Sequence, residues 1–251
     1  MTRSVPSPAS SAPPVASPDV PSNDANTSGV SPTIDIDPAT LAPRDAYRLL
    51  IGGILPRPIA WVSTVAPDGT RNLAPFSFFT VVCESPPTIC FAPARKPDGT
   101  KKDSLANVEA TGEFVVNVVG EAHAEAMSHT SAAVGPEIDE FALAGLVAVP
   151  STVVRPPRVA GVPVAYECRM AQVVHVGGDA AGAGSLVIGT VVRVHVAADA
   201  WRDGRIDIDV ARQVGRAAGD EYVRTRDRFA LRRPVVDPDG TVRLPDDHPR
   251  P

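Results

Sequence analysis

A short loop concentrates basic residues immediately before a predicted helix. The segment Ala94–Ser104 (ARKPDGTKKDS) contains four of them: Arg95, Lys96, Lys101 and Lys102. Asp103 is a suitable N-cap for a helix over Ser104–Thr111, and Gly112 would end that helix. Unpaired N–H groups at a helix N-terminus, with lysines and the Ser104 hydroxyl beside them, favour an anion such as a phosphate. The same pattern also fits a solvated basic loop before a capped helix.

A second candidate is the segment Asn72–Thr80 (NLAPFSFFT), which mixes an amide, a hydroxyl and three aromatic rings. Such a loop can hydrogen-bond the polar edge of a ring-shaped ligand and cover its apolar face. The alternative is a bulged core strand in which Phe76, Phe78 and Phe79 are simply packed. In either case Pro75 and Ser77 interrupt the segment, so it cannot form one regular central strand.

A third candidate lies near the C-terminus, where residues 212–233 contain seven arginines and three acidic residues. An arginine held there could face an anion or a reduced ring. A network of surface ion pairs explains the same composition equally well.

Other common chemistries have no signature in this sequence. We find no HExxH, no Cys/His cluster with metal-ligand spacing, no GxSxG and no GxGxxG, so neither a metal site nor a catalytic triad is expected. His175 and His195 lie in strand-like segments, where we expect them on the solvated side of a sheet. His129, in MSHTS, is the one histidine beside other small polar residues.

The elements that must position these candidates are mostly strands. Strand-like segments cover residues 59–65, 88–92, 113–119, 165–176 and 185–196. Short helices are predicted over 43–50, 104–111 and 122–129. Many short antiparallel strands with a few helices indicate a mainly β fold, either a barrel or a sandwich.

Composition sets the domain limits and the class of protein. In 251 residues there are 27 prolines, and residues 1–33 hold seven of these together with eight serines. We therefore expect a disordered tail over 1–33, a folded domain over 34–234 and a loose C-terminal tail over 235–251. The net charge of −5 argues against nucleic-acid binding, and no segment has the apolar length of a membrane span. Three widely spaced cysteines predict buried free thiols in a reducing cytoplasm.

A family resemblance runs through most of this domain. The segment Arg57–Phe91 (RPIAWVSTVAPDGTRNLAPFSFFTVVCESPPTICF) resembles the flavin-reductase-like family of FMN-binding split barrels. Later segments, including Lys101–Val119 and Val214–Pro234, are similar to the same family in order and spacing. The resemblance covers residues 47–234.

The resemblance implies a six-stranded antiparallel split β-barrel, a homodimer, and FMN rather than FAD bound near the subunit interface. The residues implied around the flavin ring and ribityl chain are Ala60, Trp61, Val62, Ser63, Thr64, Asn72, Ala74, Pro75, Phe76, Ser77 and Phe78. Lys102, Asp103 and Ser104 are implied at the flavin phosphate, and Arg216 near the flavin. No catalytic side chain is implied, because the cofactors carry the chemistry.

The implied activity is hydride transfer from NADH or NADPH to flavin N5, and the reduced flavin could supply a separate monooxygenase. One alternative is an electron carrier that retains FMN and docks on redox partners. Another is a split barrel that has lost flavin and serves as a binding module. Intact Lys102-Asp103-Ser104 and NLAPFSFF segments argue against this last alternative.

Overall fold

The computed structural model describes residues 31–243, and its contacts divide the chain into two units, Met1–Leu41 and Ala42–Pro251. In the first unit, the described residues include one short 3-10 helix, Pro38–Thr40, capped by the Asp37 carboxylate. Most of the predicted disordered tail, residues 1–33, lies outside the described residues. Within residues 31–243, no helix is long and apolar enough to cross a membrane.

The second unit is built mainly from strands. Its helices are α1 (Pro43–Gly53), α2 (Asp103–Thr111), α3 (Ala124–His129), α4 (Glu140–Leu143) and α5 (Ile208–Ala211), with 3-10 helices at Glu121–His123 and Ala198–Ala200. The long or central strands are β1 (Ala60–Val65), β2 (Arg71–Phe76), β3 (Phe79–Glu84), β4 (Pro87–Phe91), β5 (Glu113–Val118), β8 (Val164–Val176) and β9 (Gly184–Val196). The remaining strands are β6 (Ala148–Val149), β7 (Arg158–Val159), β10 (Trp201–Arg202), β11 (Arg205–Ile206), β12 (Val214–Arg216), β13 (Tyr222–Arg224), β14 (Val235–Val236) and β15 (Val242–Arg243).

Seven antiparallel strands form one sheet in the order β2-β1-β5-β8-β9-β4-β3. The family resemblance implied six strands, and the sheet has seven, with β2 and β3 separated by a break at Ser77 and Phe78. This is the interruption that Pro75 and Ser77 predicted, and Pro75 lies on an end strand, where its missing N–H is tolerated. Because β2 and β3 end the sheet at opposite sides yet follow each other directly in the chain, the sheet curls into a split barrel.

The barrel interior is filled by apolar side chains around three aromatic rings. The Phe91 ring lies 5.2 Å from that of Phe76 and 5.3 Å from that of Phe114. Gly189 on β9 makes room for this arrangement, because a Cβ there would overlap the edge of the Phe114 ring. Ala60 and Val62 of β1 face the same interior. The core therefore depends on a few large rings, in a chain with only 5% aromatic residues.

A second core lies on the outer side of β1. Trp61 is fully buried there with Met127 of α3 and Phe141 of α4, and its indole N–H donates to the Thr130 hydroxyl over 2.9 Å. Since Ala60 and Val62 point the other way, β1 is buried on both faces. This explains its nearly continuous apolar sequence.

A buried carboxylate ties β8 to the loop before it. Glu167 has no exposed surface and accepts hydrogen bonds from the N–H groups of Thr152, Val153 and Val154. His195 of β9 lies 2.5 Å from the same carboxylate, and its side chain is 22% exposed, so it lies only partly on the solvated side that the sequence predicted. Burial alone would raise the pKa of Glu167, but these hydrogen bonds together outweigh it and hold the pKa below its ordinary value.

All three cysteines are free, as the sequence predicted, but only two of them are buried. Cys90 and Cys168 lie in the barrel, where burial raises the pKa of each thiol. Cys83 is exposed because β3 is an end strand whose last residues face outward.

Candidate functional site

A cleft of about 600 Å³ opens between the loop before α2, the strand β2 and residues 130–134. This volume lies within the range of small-molecule sites. Six of the predicted site residues line it: Asn72, Ala74, Pro75, Lys102, Asp103 and Ser104. The structure therefore brings together two segments that are 30 residues apart in the chain.

The start of α2 faces this cleft, and its cap differs from the prediction. Lys102 occupies the N-cap position, one residue before the predicted Asp103, and contributes no side-chain cap. Asp103 instead accepts hydrogen bonds from the Lys96 ammonium at 3.1 and 3.2 Å. The first N–H groups of the helix thus have no side-chain cap among the described residues. Gly112 ends the helix in the left-handed conformation (φ 71°), as predicted.

The four basic residues of the loop have different surroundings. Arg95 lines the cleft but pairs with Asp179, and Lys101 lies 2.5 Å from Glu109, so both charges already have an acidic partner. The Lys102 ammonium lies 5.8 Å from the centre of the Phe76 ring and makes no ion pair with any described residue. Lys102 is therefore the lysine most available to an anion in the cleft.

A polar network lies at the back of the cleft. The Ser104 hydroxyl donates to Asn72 Oδ1 over 2.7 Å, and Asn72 Nδ2 donates to Glu140 Oε1 over 2.8 Å. Glu140 Oε2 accepts from the backbone N–H of Leu73 over 2.9 Å. The amide of Asn72 is thus fixed from both sides. The Ser104 hydroxyl already has a partner, so a ligand there would reach the backbone N–H groups and Lys102 first.

Glu140 is a buried acid at the edge of a cationic cleft. Burial raises the pKa of its carboxyl group above the ordinary value, and the charge of Asp103 adds to this effect. The hydrogen bonds from Leu73 and Asn72 oppose the shift without cancelling it. A carboxylate in this position takes up a proton at a higher pH than an exposed one.

A smaller section of about 240 Å³ adjoins the cleft, because Pro75 and Ser131 line both. Ser77 and Arg216 line this second section. The guanidinium group of Arg216 donates to the carbonyl of Gly219 and lies 4.6 Å from the centre of the Tyr222 ring. Together the two sections form one groove, with the helix start and Lys102 at one end and Arg216 at the other.

Comparison with known proteins identifies this architecture. Residues 52–231 match the model of the flavin reductase like domain. The chain belongs to this family. It is 44% identical over 202 residues to an uncharacterised protein of Halalkalibacterium halodurans. The aligned region covers 80% of this chain and 97% of that relative.

Two solved structures share both the fold and more than 30% of the sequence. Nitrilotriacetate monooxygenase component B from Bacillus cereus is 35% identical with a TM-score of 0.77, over 80% of this chain and all of that one. The 2-nitrobenzoate 2-nitroreductase of Pseudomonas fluorescens is 31% identical with a TM-score of 0.72, over 82% of this chain and 98% of that one. These findings support a flavin-using oxidoreductase with a flavin-reductase split barrel.

The remaining predicted residues of this flavin-reductase domain do not line the groove. Ala60, Trp61, Val62, Ser63 and Thr64 have no exposed surface, and Phe76 belongs to the barrel core. Phe78 is half exposed and packs its ring 6.4 Å from that of Tyr47. β1 therefore supports the groove from behind in this structure, and Thr64 does so directly by donating to Asn72 Oδ1 over 3.3 Å.

Sequence reasoning missed several groove residues. Glu140 and Thr130 line the cleft, and Ser131 lies where the two sections meet. Thr130 and Ser131 belong to the MSHTS segment, from which the sequence singled out only His129. Glu140 gave no signal, because an acid in an ordinary helix start reads as a solvated residue until its burial is known.

Proposed function

We propose that this protein is an NAD(P)H-dependent flavin reductase that binds FMN in the groove. The observation that carries the proposal is the groove itself. At one end it has a helix start and a lysine, Lys102, that have no side-chain cap and no ion pair within residues 31–243, and Arg216 lies at the other end. The solved relative from Bacillus cereus is a monooxygenase component B, which fits a protein that supplies reduced flavin to a separate oxygenase.

The groove offers a suitable partner for each part of FMN. The first N–H groups of α2 and the Lys102 ammonium would hold the phosphate, since a helix N-terminus and a cation both favour an anion. This end of the groove offers one helix start and one lysine, which suits a single phosphate. Pro75, Ser77 and Arg216 would lie along the ring, and β1 would keep β2 in place behind it.

The protein itself needs to supply only binding and orientation. A bound flavin would supply the redox chemistry, which is hydride transfer from reduced nicotinamide to N5. Arg216 places a positive charge at the ring end of the groove, where it would stabilise negative charge. Glu140 fixes the amide of Asn72, which keeps the wall of the groove rigid. None of these roles requires a protein acid or base.

We extend the proposal to a homodimer in the cytoplasm. An apolar hollow of about 460 Å³ lies beside β3 and β4, and Val81 on the end strand β3 is 71% exposed. Exposed apolar end strands are normally covered, and a second copy of the chain would cover this one. The two buried free thiols are consistent with a reducing compartment.

Rapid anaerobic mixing tests the activity. The purified protein is titrated with FMN and then mixed with NADH or NADPH while the flavin absorbance is followed. We expect bleaching within the steady-state turnover time with at least one donor. Bound flavin that is bleached only in the presence of a partner enzyme would favour the electron carrier. A protein that binds no FMN would refute the proposal.

A further inference from the structure

One buried arginine has no acidic partner among the described residues. Arg57, just before β1, is only 5% exposed. Its guanidinium group donates to the carbonyls of Ile51 and Ile54 over 2.7 and 3.0 Å, and to that of Ala217 over 2.9 Å. Its Nε lies 3.3 Å from the hydroxyl of Ser77. A buried charge held only by neutral groups is costly, so its retention calls for a reason.

The carbonyls supply part of that reason. Ile51 lies in the last turn of α1 and Ile54 is its C-cap, so both carbonyls carry the partial negative charge of a helix C-terminus. They offset the charge of Arg57 without a carboxylate. The same guanidinium group thereby joins three separate segments: the end of α1, the break between β2 and β3, and the chain after β12.

Two of these segments carry residues of the proposed ring end. Ser77 lies at the break and lines the second section of the groove with Arg216. The backbones of Arg57 and Arg216 are also hydrogen-bonded to each other in both directions, over 2.9 and 2.7 Å. The side chain of Arg57 then holds Ala217, the residue immediately after Arg216.

We propose that Arg57 is a positioning residue for the ring end of the groove. It sets the distance between Ser77 and Arg216 and so fixes where Arg216 presents its charge. The inference rests on the proposed function, because it concerns flavin binding in this groove. A lysine cannot take over this role fully, since one ammonium group lacks the planar fork that reaches several carbonyls at fixed angles.

A double-mutant cycle tests this role. The dissociation constants of riboflavin and FMN are measured by fluorescence titration for the wild type, Arg57→Met, Arg216→Met and the double variant. We expect Arg57→Met to weaken both ligands about 10-fold, because it acts far from the phosphate. In the Arg216→Met background, Arg57→Met is expected to weaken binding of either ligand by less than about 3-fold, because the two residues act together.

Controls separate positioning from general stability. Arg158→Met removes a partly buried arginine that donates to the carbonyl of Pro150, away from the groove. We expect it to leave both dissociation constants unchanged. Thermal melts confirm that each variant is folded at the titration temperature. If Arg57→Met does not fold, Arg57→Lys takes its place in the cycle, with an intermediate loss expected.

The outcomes are distinct. A wild type that binds neither ligand overturns the proposed function. If the wild type binds both ligands and the Arg57 variants bind them equally well, only the positioning role is overturned. The same holds if the loss of affinity from an Arg57 variant adds fully to the loss from Arg216→Met.

Discussion

Two buried carboxylates in this protein have opposite properties. Glu167 and Glu140 are both almost completely inaccessible, at 0% and 4% exposure, yet the pKa of Glu167 is lowered and that of Glu140 is raised. Glu167 receives three backbone N–H groups and has His195 beside it. Glu140 receives one backbone N–H and one side-chain amide, and Asp103 lies on the same cleft.

The difference shows how the number of donors separates an anchor from a group that can respond to a ligand. A carboxylate surrounded by donors is stable as an anion and holds its loop in place. A carboxylate with fewer donors, at the wall of a cleft, keeps part of its desolvation cost and is sensitive to whatever enters. We therefore expect changes at Glu167 to affect stability, and changes around Glu140 to affect ligand binding.

The largest effect is expected for Glu167→Gln. Its amide nitrogen would face groups that all donate, so we expect a loss of about 3 kcal/mol in the free energy of unfolding, with FMN affinity unchanged. Urea titration measures this loss. Glu113→Gln is the matched control, because Glu113 accepts from Arg155 in the same loop but is partly exposed. An equal loss in both variants would contradict the anchor role.

Acid denaturation sharpens the same contrast. Because the pKa of Glu167 is lowered on folding, the unfolded chain binds this proton more readily than the folded one. The stabilisation by Glu167 is complete above its ordinary pKa of 4.5, and it is lost as the pH falls through the lower pKa that Glu167 has in the folded protein. We expect this component of the acid transition to be missing in Glu167→Gln. An unchanged pH dependence would show that Glu167 does not contribute.

A smaller effect is expected for Lys102→Met, at the cationic end of the groove. Loss of this charge should weaken FMN binding about 10-fold and leave riboflavin binding unchanged, because riboflavin has no phosphate. Lys101→Met is the control, since Lys101 pairs with Glu109 and points away. Fluorescence titration measures the dissociation constants of FMN and riboflavin for both variants. Equal losses for riboflavin and FMN would place the phosphate elsewhere.

The smallest effect is expected for Glu140→Gln. As the pH rises through the raised pKa of Glu140, a negative charge appears beside the phosphate, so wild-type affinity for FMN should fall. We expect Glu140→Gln to bind FMN about 3-fold more tightly than the wild type at pH 8, with the ratio approaching one at acidic pH. Taking the ratio at each pH cancels the titration of the phosphate itself. A ratio independent of pH would contradict this prediction.

The strands and turns followed from local sequence patterns. Alternation and β-branched runs placed β1, β4, β5, β8 and β9 within one residue at each end, and Pro75 with Ser77 located the break after β2. The N-cap of α2 was displaced by one residue, because Asp103 pairs with Lys96 instead of capping the helix. Local preferences identify a helix start, but a competing charge decides its exact residue.

The partners of buried polar groups could not be predicted in this way. Arg57 meets Ala217 across 160 residues, and Asn72 meets Glu140 across 68. These contacts depend on how the sheet curls and on which segments cover its ends. Charge therefore predicted the basic loop that contains Lys102 and the arginine-rich region 212–233, and the family resemblance singled out Arg216. Neither could show that β1 would lie behind the groove.

Gly189 has a consequence for the evolution of this barrel, because it has no side chain. The space that a methyl group would need is filled by the Phe114 ring, which comes from a strand that is not adjacent in the sheet. Replacement at either position alone leads to a clash or a void, so the two positions are expected to covary among homologues. A library that diversifies the barrel interior should encode them as one unit.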